Sequence, residues 1–258
     1  MLLTIDVGNT QTVIGLHDGA ELIQHWRVST NAERTADEHA LLVSQLLDLQ
    51  GLDFEAVVAG IAVSSTVPTL TNALRDMADR WFDVPTVVLE PGVKSGMPIL
   101  YDNPKEVGAD RIANAVGAFD VYSGPTIVVD FGTATTFDVI SSKGEYLGGA
   151  IVPGIEVSMD ALFGRAAALR SVELVEPRNV IGKSTVESIQ SGALYGFAGQ
   201  VDALCTRIER ELGDCTVVAT GGLAGLIAPH SVSIQHHDPW LTLHGLRLIF
   251  ERNTEPRR

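Results

Sequence analysis

An internal echo constrains this chain more than any other feature. Residues 126–154, TIVVDFGTATTFDVISSKGEYLGGAIVPG, follow the same plan as LLTIDVGNTQTVIGL at 2–16. A shift of 124 residues carries Asp6 onto Asp130, Gly8 onto Gly132 and the apolar Ile5 onto Val129. In both copies an apolar run stops on the aspartate, crosses glycine and small polar residues, and resumes. Both then reach a turn, Asp18-Gly19 in one and Lys143-Gly144 in the other, with a further strand pattern behind it. Two common hairpins can match by coincidence. The joint match of strand end, Asp-x-Gly, polar turn and second hairpin favours duplication. A duplicated β-β-β-α unit predicts an α/β chain of two similar lobes, 1–117 and 118–258, each a mixed β-sheet with flanking helices.

The rest of the pattern fits that plan. ELIQHWRVS (21–29) alternates as a third strand, and 35–51 is a helix with Ala40, Leu42, Val43, Leu46 and Leu47 on one face. AVVAGIAVSS (56–65) reads as a buried strand, 69–82 as an amphipathic helix and TVVLE (86–90) as a strand. In the second half, 154–169 is expected to be helical with Met159, Leu162 and Phe163 buried. A long helix fits 184–212, with Ser184 or Thr185 as N-cap and Glu187 in its first turn. CTVVATGGLAGLIA (215–228) reads as strand, glycine turn and helix.

Composition removes several classes of function. The formal charge is -14 and no Lys/Arg run occurs before the last two residues, which argues against a broad basic face for nucleic acid or anionic membrane. No stretch approaches the ~20 apolar residues of a membrane span. Asp6 interrupts the apolar start and no basic segment precedes it, so no signal peptide is read and a cytoplasmic place is expected. Cys205 and Cys215 stand outside any CxxC or Cys/His cluster and read as ordinary thiols.

The chemistry is sought in the loops. Glycine at a hairpin bend lets backbone approach a ligand, and successive N–H groups there form an anion nest, with Asn9 and Thr10 adding donors. Asp6 would repel a phosphate unless a cation stands between them, and Mg²⁺ commonly uses one or two carboxylates plus phosphate and water. A plain β-turn explains Asp, Gly and Asn equally well at a single copy. Two copies are expected to hold a polyphosphate at two points. TGGLAG (220–225) is a third glycine turn, suited to adenosine or phosphate at a helix N-terminus.

Familiar alternatives fail. GKST (182–185) imitates the end of a Walker A loop, but Pro177 occupies the required earlier glycine position. No Gly-x-Gly-x-x-Gly follows the first strand, and neither HExxH nor a Ser-His-Asp order appears. His236-His237-Asp238 lacks a nearby third ligand, and a structural or surface role is expected.

YDNPKEVGADRIANAVGAF (101–119) places a bend between Pro104 and Gly108, then a helix with Ile112, Ala115, Val116 and Phe119 on one face. Asp110 and Arg111 fall in its first turn. Dipole complementation by Asp110 and a solvated Arg111 are the ordinary reading. The functional one has Asp110 orient a substrate hydroxyl and Arg111 pair with an anionic group. A carboxylate at a helix N-terminus is expected to be a weak base, which the loose transition state of phosphoryl transfer tolerates.

Taken together, DVGNT at 6–10, GADR at 108–111, DFGTATT at 130–136 and TGG at 220–222 resemble the type III pantothenate kinases. That family belongs to the superfamily of acetate and sugar kinases, Hsp70 and actin. The resemblance covers essentially the whole chain, and the central two motifs are its most specific part. It implies duplicated ribonuclease H-like, actin-like lobes and transfer of the ATP γ-phosphoryl group to pantothenate. It implies ATP contacts at Asp6, Val7, Gly8, Asn9, Thr10, Gln11, Thr12, Val13 and Thr133, with Asp6 a candidate Mg²⁺ ligand. It makes Asp110 the proton acceptor and Tyr101, Gly108, Ala109, Asp110, Arg111 and Thr185 the pantothenate contacts. Asp130 matches the ligand of a monovalent cation, K⁺ or NH₄⁺, and family members are homodimers using Mg-ATP. Another small-molecule kinase, or a nucleotide-binding regulator on the same scaffold, is the competing reading. The intact Gly108–Arg111 segment favours the enzyme, since a pure binder has no need of that acid.

Overall fold

The computed structural model describes residues 1–166 and 169–254. In chain order the elements are β1 (Leu2–Val7), β2 (Gln11–Asp18), β3 (Glu21–Ser29), α1 (Ala36–Asp48), α2 (Phe54–Val57) and β4 (Gly60–Ser65). They continue with α3 (Pro68–Met77), β5 (Thr86–Val88), α4 (Ala109–Tyr122), β6 (Thr126–Phe131), β7 (Ala134–Ile140) and β8 (Tyr146–Pro153). The last are α5 (Ile155–Arg165), α6 (Thr185–Leu212), β9 (Thr216–Thr220), α7 (Ala224–Ile227), β10 (His236–His237) and α8 (Leu241–Thr254).

The strands form two five-stranded sheets, β3-β2-β1-β4-β5 and β8-β7-β6-β9-β10. In each, the central strand is antiparallel to its hairpin partner and parallel to its other neighbour. The same irregularity recurs too: the register slips between Leu16 and His17 in one sheet and between Val139 and Ile140 in the other. The first hairpin loop has one residue more, 8–10 against 132–133, so the copies fall out of the 124-residue shift beyond the glycine.

Alternation along the central strands decides which face is core. Leu3, Ile5 and Val7 join Ile14 and Leu16 under Val43, Leu47, Leu70 and Leu74. Ile127, Val129 and Phe131 join Phe137 under Leu194, Ala198, Val201 and Cys205 of α6. Thr35 caps α1 reciprocally: its N–H donates to Glu38 Oε2 at 2.8 Å and its hydroxyl accepts from the Glu38 N–H at 3.3 Å.

The chain divides into two compact units, Met1–Asp120 with the C-terminal helix α8, and Val121–Trp240. The 118–258 lobe expected from the sequence therefore loses its last helix to the first unit. The reason is packing: α8 lies on β1, β4, β2 and β5, on the face opposite α1 and α3. Glycines make the approach possible. A methyl on Gly245 would overlap the Ala113 carbonyl of α4, and one on Gly117 would lie 2.7 Å from the Leu241 carbonyl oxygen. The Thr242 hydroxyl donates to Asn114 Oδ1 at 2.6 Å beside this crossing.

Smaller differences have local causes. Residues 56–57 belong to the helical turn α2, so the strand expected from 56 starts at Gly60. The helix expected over 69–82 ends in a π-helical turn at 78–82, closed by Asp83 in the left-handed conformation (φ 49°). In α5, Met159 and Phe163 are half-buried but Leu162 is 42% exposed, because only one side of this helix meets α6 and β7. Positions 167–168 of the helix expected over 154–169 lie outside the described residues, as do 255–258.

The α4–α8 crossing yields a test. Gly245→Ala is expected to destabilise the protein by about 3 kcal/mol, at the upper end for overpacking of a close-packed contact. Gly199→Ala, in α6 with open space around it, is expected to be neutral or stabilising by up to about 1 kcal/mol. Urea unfolding midpoints of the two variants check both.

Candidate active site

Asp6 stands near the end of β1, level with Val13 of β2 and Ser64 of β4. The Ser64 hydroxyl donates to Asp6 Oδ1. The loop beyond is closed by the Gly8 N–H donating to the Gln11 carbonyl at 3.0 Å. Thr30 donates its N–H to the Thr10 carbonyl at 3.0 Å and its hydroxyl to the Gly8 carbonyl at 2.7 Å. Thr66 gives the Val7 carbonyl both its N–H, at 2.9 Å, and its hydroxyl, at 3.1 Å. Carbonyl oxygens that would repel a phosphate are thus already engaged, which suits an anion-binding turn. Asn9 and Thr10 are exposed at the tip, while Val7 and Thr12 are buried and Val13 is half-buried. Thr12 and Thr30 share a hydroxyl contact at 2.9 Å, and Gln11 Oε1 accepts from Arg27 Nη1 at 2.8 Å. The stretch Asp6–Val13 is therefore one built loop, with Val7 serving the core.

In the second unit Asp130 is level with Thr136 of β7 and Thr220 of β9. Its loop is closed by the Gly132 N–H on the Ala134 carbonyl at 3.1 Å, and Thr133 is exposed at the tip. The Gly154 N–H holds the Thr133 carbonyl at 3.1 Å. Thr136 donates to Asp138 Oδ2 at 3.0 Å and Tyr146 to Asp138 Oδ1 at 2.7 Å, so the fully buried Asp138 carboxyl is satisfied behind the site. Gly221 has φ +92°, and a methyl there would meet Asp130 Oδ1 and lie 2.6 Å from the Phe131 nitrogen. The helix that TGGLAG opens is only the four residues Ala224–Ile227. The glycine lets the chain leaving β9 pass close to Asp130.

The Gly108–Arg111 segment starts α4 after a single 3₁₀ turn at Pro104–Glu106. Asp110 Oδ1 accepts the Arg111 N–H at 2.9 Å. A methyl on Gly108 would fall 2.5 Å from that same oxygen, so glycine is needed here for the carboxyl rather than for a turn. Arg111 is buried, which removes the solvated reading of its side chain. Gly108, Ala109, Asp110 and Tyr101 keep partial exposure. Burial pushes the Asp110 carboxyl above its ordinary value, against the opposing pull of the Arg111 N–H and guanidinium. The weak base expected at a helix N-terminus is thereby corrected: dense surroundings outweigh the local dipole.

Thr185 is the exposed first residue of α6, next to the N-cap Ser184, whose hydroxyl accepts the Glu187 N–H at 3.2 Å. Behind it, the preceding segment is tied to one face of α6. Glu187 Oε2 accepts the Lys183 N–H at 2.9 Å and Oε1 accepts Arg178 Nε at 2.7 Å; these bonds hold the Glu187 carboxyl below its ordinary range. Gln190 and Ser191 donate to the Glu173 and Val180 carbonyls at 2.9 and 2.6 Å. GKST is thus a capped helix start. Sequence reasoning missed Gln190 and Ser191, whose i+3 and i+4 spacing from Glu187 is the available signal, as it missed Ser64 and the role of Gly221.

Elsewhere, His236 stacks on Tyr122 at 4.8 Å and pairs with β9 as an edge strand. Cys205 and Cys215 are free and buried, with burial pushing the Cys205 thiol up to about 12. Among the described residues no group of three or more His, Cys, Asp or Glu side chains is placed to hold a metal. A single carboxylate with a neighbouring hydroxyl, as at Asp6, is nevertheless a donor set of the hard-oxygen kind that Mg²⁺ takes beside phosphate.

Two duplicated mixed sheets, each with a carboxylate and a glycine loop at the end of its central strand, define the actin-like ATPase and sugar-kinase class of fold. The same architecture is found in a putative Baf family transcriptional activator from Campylobacter jejuni (TM-score 0.61, 20% identity, 97% of this chain and 98% of that one). It recurs in a ROK hexokinase from Thermus thermophilus (TM-score 0.52, 13% identity, 96% and 97%). The family model for type III pantothenate kinase matches residues 2–207. A type III pantothenate kinase of Streptomyces griseus is 58% identical over 261 aligned positions, covering 98% of each chain. The chain belongs to the type III pantothenate kinase family.

The Asp110 environment makes a measurable prediction. Its folded-state value is raised above 3.8, so its contribution to folding is favourable below that value and is lost as the pH rises through the folded one. Asp110→Asn is expected to raise the thermal midpoint at pH 7.5, with the gain shrinking as the pH falls towards 3.8. Carboxyl NMR titration of the wild-type protein should show Asp110 titrating above the ordinary value of 3.8.

Proposed function

We propose that this chain transfers the γ-phosphoryl group of ATP to the primary hydroxyl of pantothenate, giving 4'-phosphopantothenate and ADP at the first step of coenzyme A biosynthesis. Family membership supports the reaction, and the observation that carries it is the intact Gly108–Arg111 segment with its densely surrounded Asp110, whose carboxyl is pushed above its ordinary value. Asp110 accepts a hydrogen bond from the pantothenate hydroxyl and takes its proton as the oxygen–phosphorus bond forms and ADP departs with the electron pair. A carboxylate raised above its ordinary value is a better acceptor than an exposed one, and the loose transition state asks for little proton removal early. Arg111 pairs with the pantothenate carboxylate. Tyr101, Gly108, Ala109 and Thr185 complete the pantothenate contacts.

The loop Asp6–Val13 takes ATP phosphate through its N–H groups and the Asn9 and Thr10 side chains, and Thr133 supplies a second nucleotide contact. Asp6 would hold magnesium, which when bound would supply positive charge against the transferring phosphates. Asp130 is read as the monovalent-cation ligand, for K⁺ or NH₄⁺, supported by the hydroxyl residues Thr136 and Thr220 at its level. A homodimer is supported by the apolar residues Ile151, Val180, Ile181 and Val186, exposed on the second unit. Free buried thiols and the absence, among the described residues, of any helix long and apolar enough to cross a membrane fit a cytoplasmic enzyme.

Asp110→Asn is expected to lower phosphopantothenate formation by roughly 10²–10⁴-fold, the range for a lost acid–base group, with nucleotide affinity unchanged by calorimetry. Turnover at the wild-type rate in that variant would remove Asp110 from its role. A coupled ADP-release assay should show pantothenate-dependent ADP in K⁺ and less in Na⁺. Asp130→Asn should erase that difference, and an unchanged K⁺ response would take Asp130 out of the cation site. No pantothenate-dependent ADP in either salt would point to a nucleotide-binding regulator.

A further inference from the structure

We infer that Ser64 is a positioning residue for magnesium-nucleotide binding, setting the orientation of the Asp6 carboxylate; this rests on the reading of Asp6 as the magnesium-side carboxylate. Ser64 is fully buried near the end of β4, in parallel register with Asp6, and donates its hydroxyl to Asp6 Oδ1 across 58 residues of sequence. The exit of β4 carries three consecutive hydroxyl residues, and they divide the work. Ser65 hydrogen-bonds to the Val67 carbonyl and N–H, at 3.0 and 3.1 Å, shaping the start of α3. Thr66 donates to the Val7 carbonyl and holds the end of β1. Ser64 alone of the three addresses a side chain.

The position is costly for a polar residue without a partner. Its strand neighbours Ile61, Ala62 and Val63 are all buried, so a hydroxyl here must be matched by a fixed acceptor. The acceptor it finds is the carboxylate itself. A carboxylate on a strand end turns about its last torsion, and a second hydrogen bond from a buried, rotamer-locked donor fixes its plane. The duplication sharpens the point. In the second unit Asp130 has hydroxyl residues on both sides, Thr136 and Thr220, whereas Asp6 has Val13 on one side and Ser64 on the other. In the first unit the task falls on Ser64 alone among the two residues level with the aspartate.

The test uses the full chain with Ser64→Ala, Ser64→Thr and Asp6→Asn, and reads ATP affinity by calorimetry in Mg²⁺ and in EDTA alongside the KM values. Ser64→Ala is expected to weaken ATP binding in Mg²⁺ by about 10–100-fold, the usual loss when a group that orients a metal ligand is removed. Affinity in EDTA and the KM for pantothenate should stay within about twofold. Ser64→Thr, which keeps the hydroxyl as the second unit does, should bind within about threefold of wild type. Unchanged Mg²⁺-dependent binding in Ser64→Ala, with a loss in Asp6→Asn, would overturn the role of Ser64 and leave that of Asp6 standing. Equal loss in Mg²⁺ and EDTA would overturn it too, as a general packing defect. Unchanged Mg²⁺-dependent binding in Asp6→Asn would overturn the reading of Asp6 itself, and the inference with it.

Discussion

Double registration of a central strand is the constraint on which both halves of this molecule rest. β1 is locked on one side by its hairpin partner and on the other by a parallel neighbour, so the height of Asp6 is set twice. β6 holds Asp130 in the same way. Because Leu3, Ile5 and Val7 face the core, the alternation of a strand puts Asp6 on the opposite face. A slip of one residue would exchange the two sets, burying the carboxylate among aliphatic side chains and taking Leu3, Ile5 and Val7 out of the cluster they form with α1 and α3. The cost of that exchange makes the position of each aspartate a by-product of hydrophobic burial. Chemistry at the strand end needs no separate scaffold.

Given fixed strands, the glycines follow. Gly221 is demanded by a positive φ and by the approach of its backbone to Asp130 and Phe131. Gly108 is demanded by the Asp110 carboxyl alone. Gly117 and Gly245 allow two helix backbones to touch. A residue type that is uniform in the sequence thus does three different jobs, and only contacts distinguish them. TGGLAG shows the consequence: its strand–turn–helix pattern is legible in the sequence, but only contacts reveal that Gly221 lies where a strand end must pass a carboxylate.

What the chain discloses before folding is local. Hairpins, strand ends, the cap at Ser184 and the start of α4 all lie within a few residues of their signals, and they stand where the pattern puts them. The duplication is legible through Asp-x-Gly, though the one-residue difference in loop length shows only in the register. What escapes is set at long range. The assignment of α8 depends on glycine contacts with α4, more than a hundred residues away. Ser64 meets Asp6 through a parallel strand, and no spacing rule links them. Leu162 is apolar and periodic yet exposed, because periodicity names a face without naming what covers it.

Asp110 is where local and long-range effects compete directly, and the outcome bears on how the site works. The helix start and the Arg111 N–H favour the ionised carboxyl; burial disfavours it and prevails. A chain with formal charge -14 has little long-range attraction to offer ATP or an anionic acceptor, and it contains no Walker-type lysine to offer at short range. In the proposed function, positive charge comes from Arg111, from loop N–H dipoles and from bound cations. A carboxyl raised above its ordinary value, as burial raises Asp110, is the stronger proton acceptor, which is the role proposed for it. Burial of Asp110, which weakens the fold above its titration, is thus the same property that suits it to the proton-accepting role proposed for it.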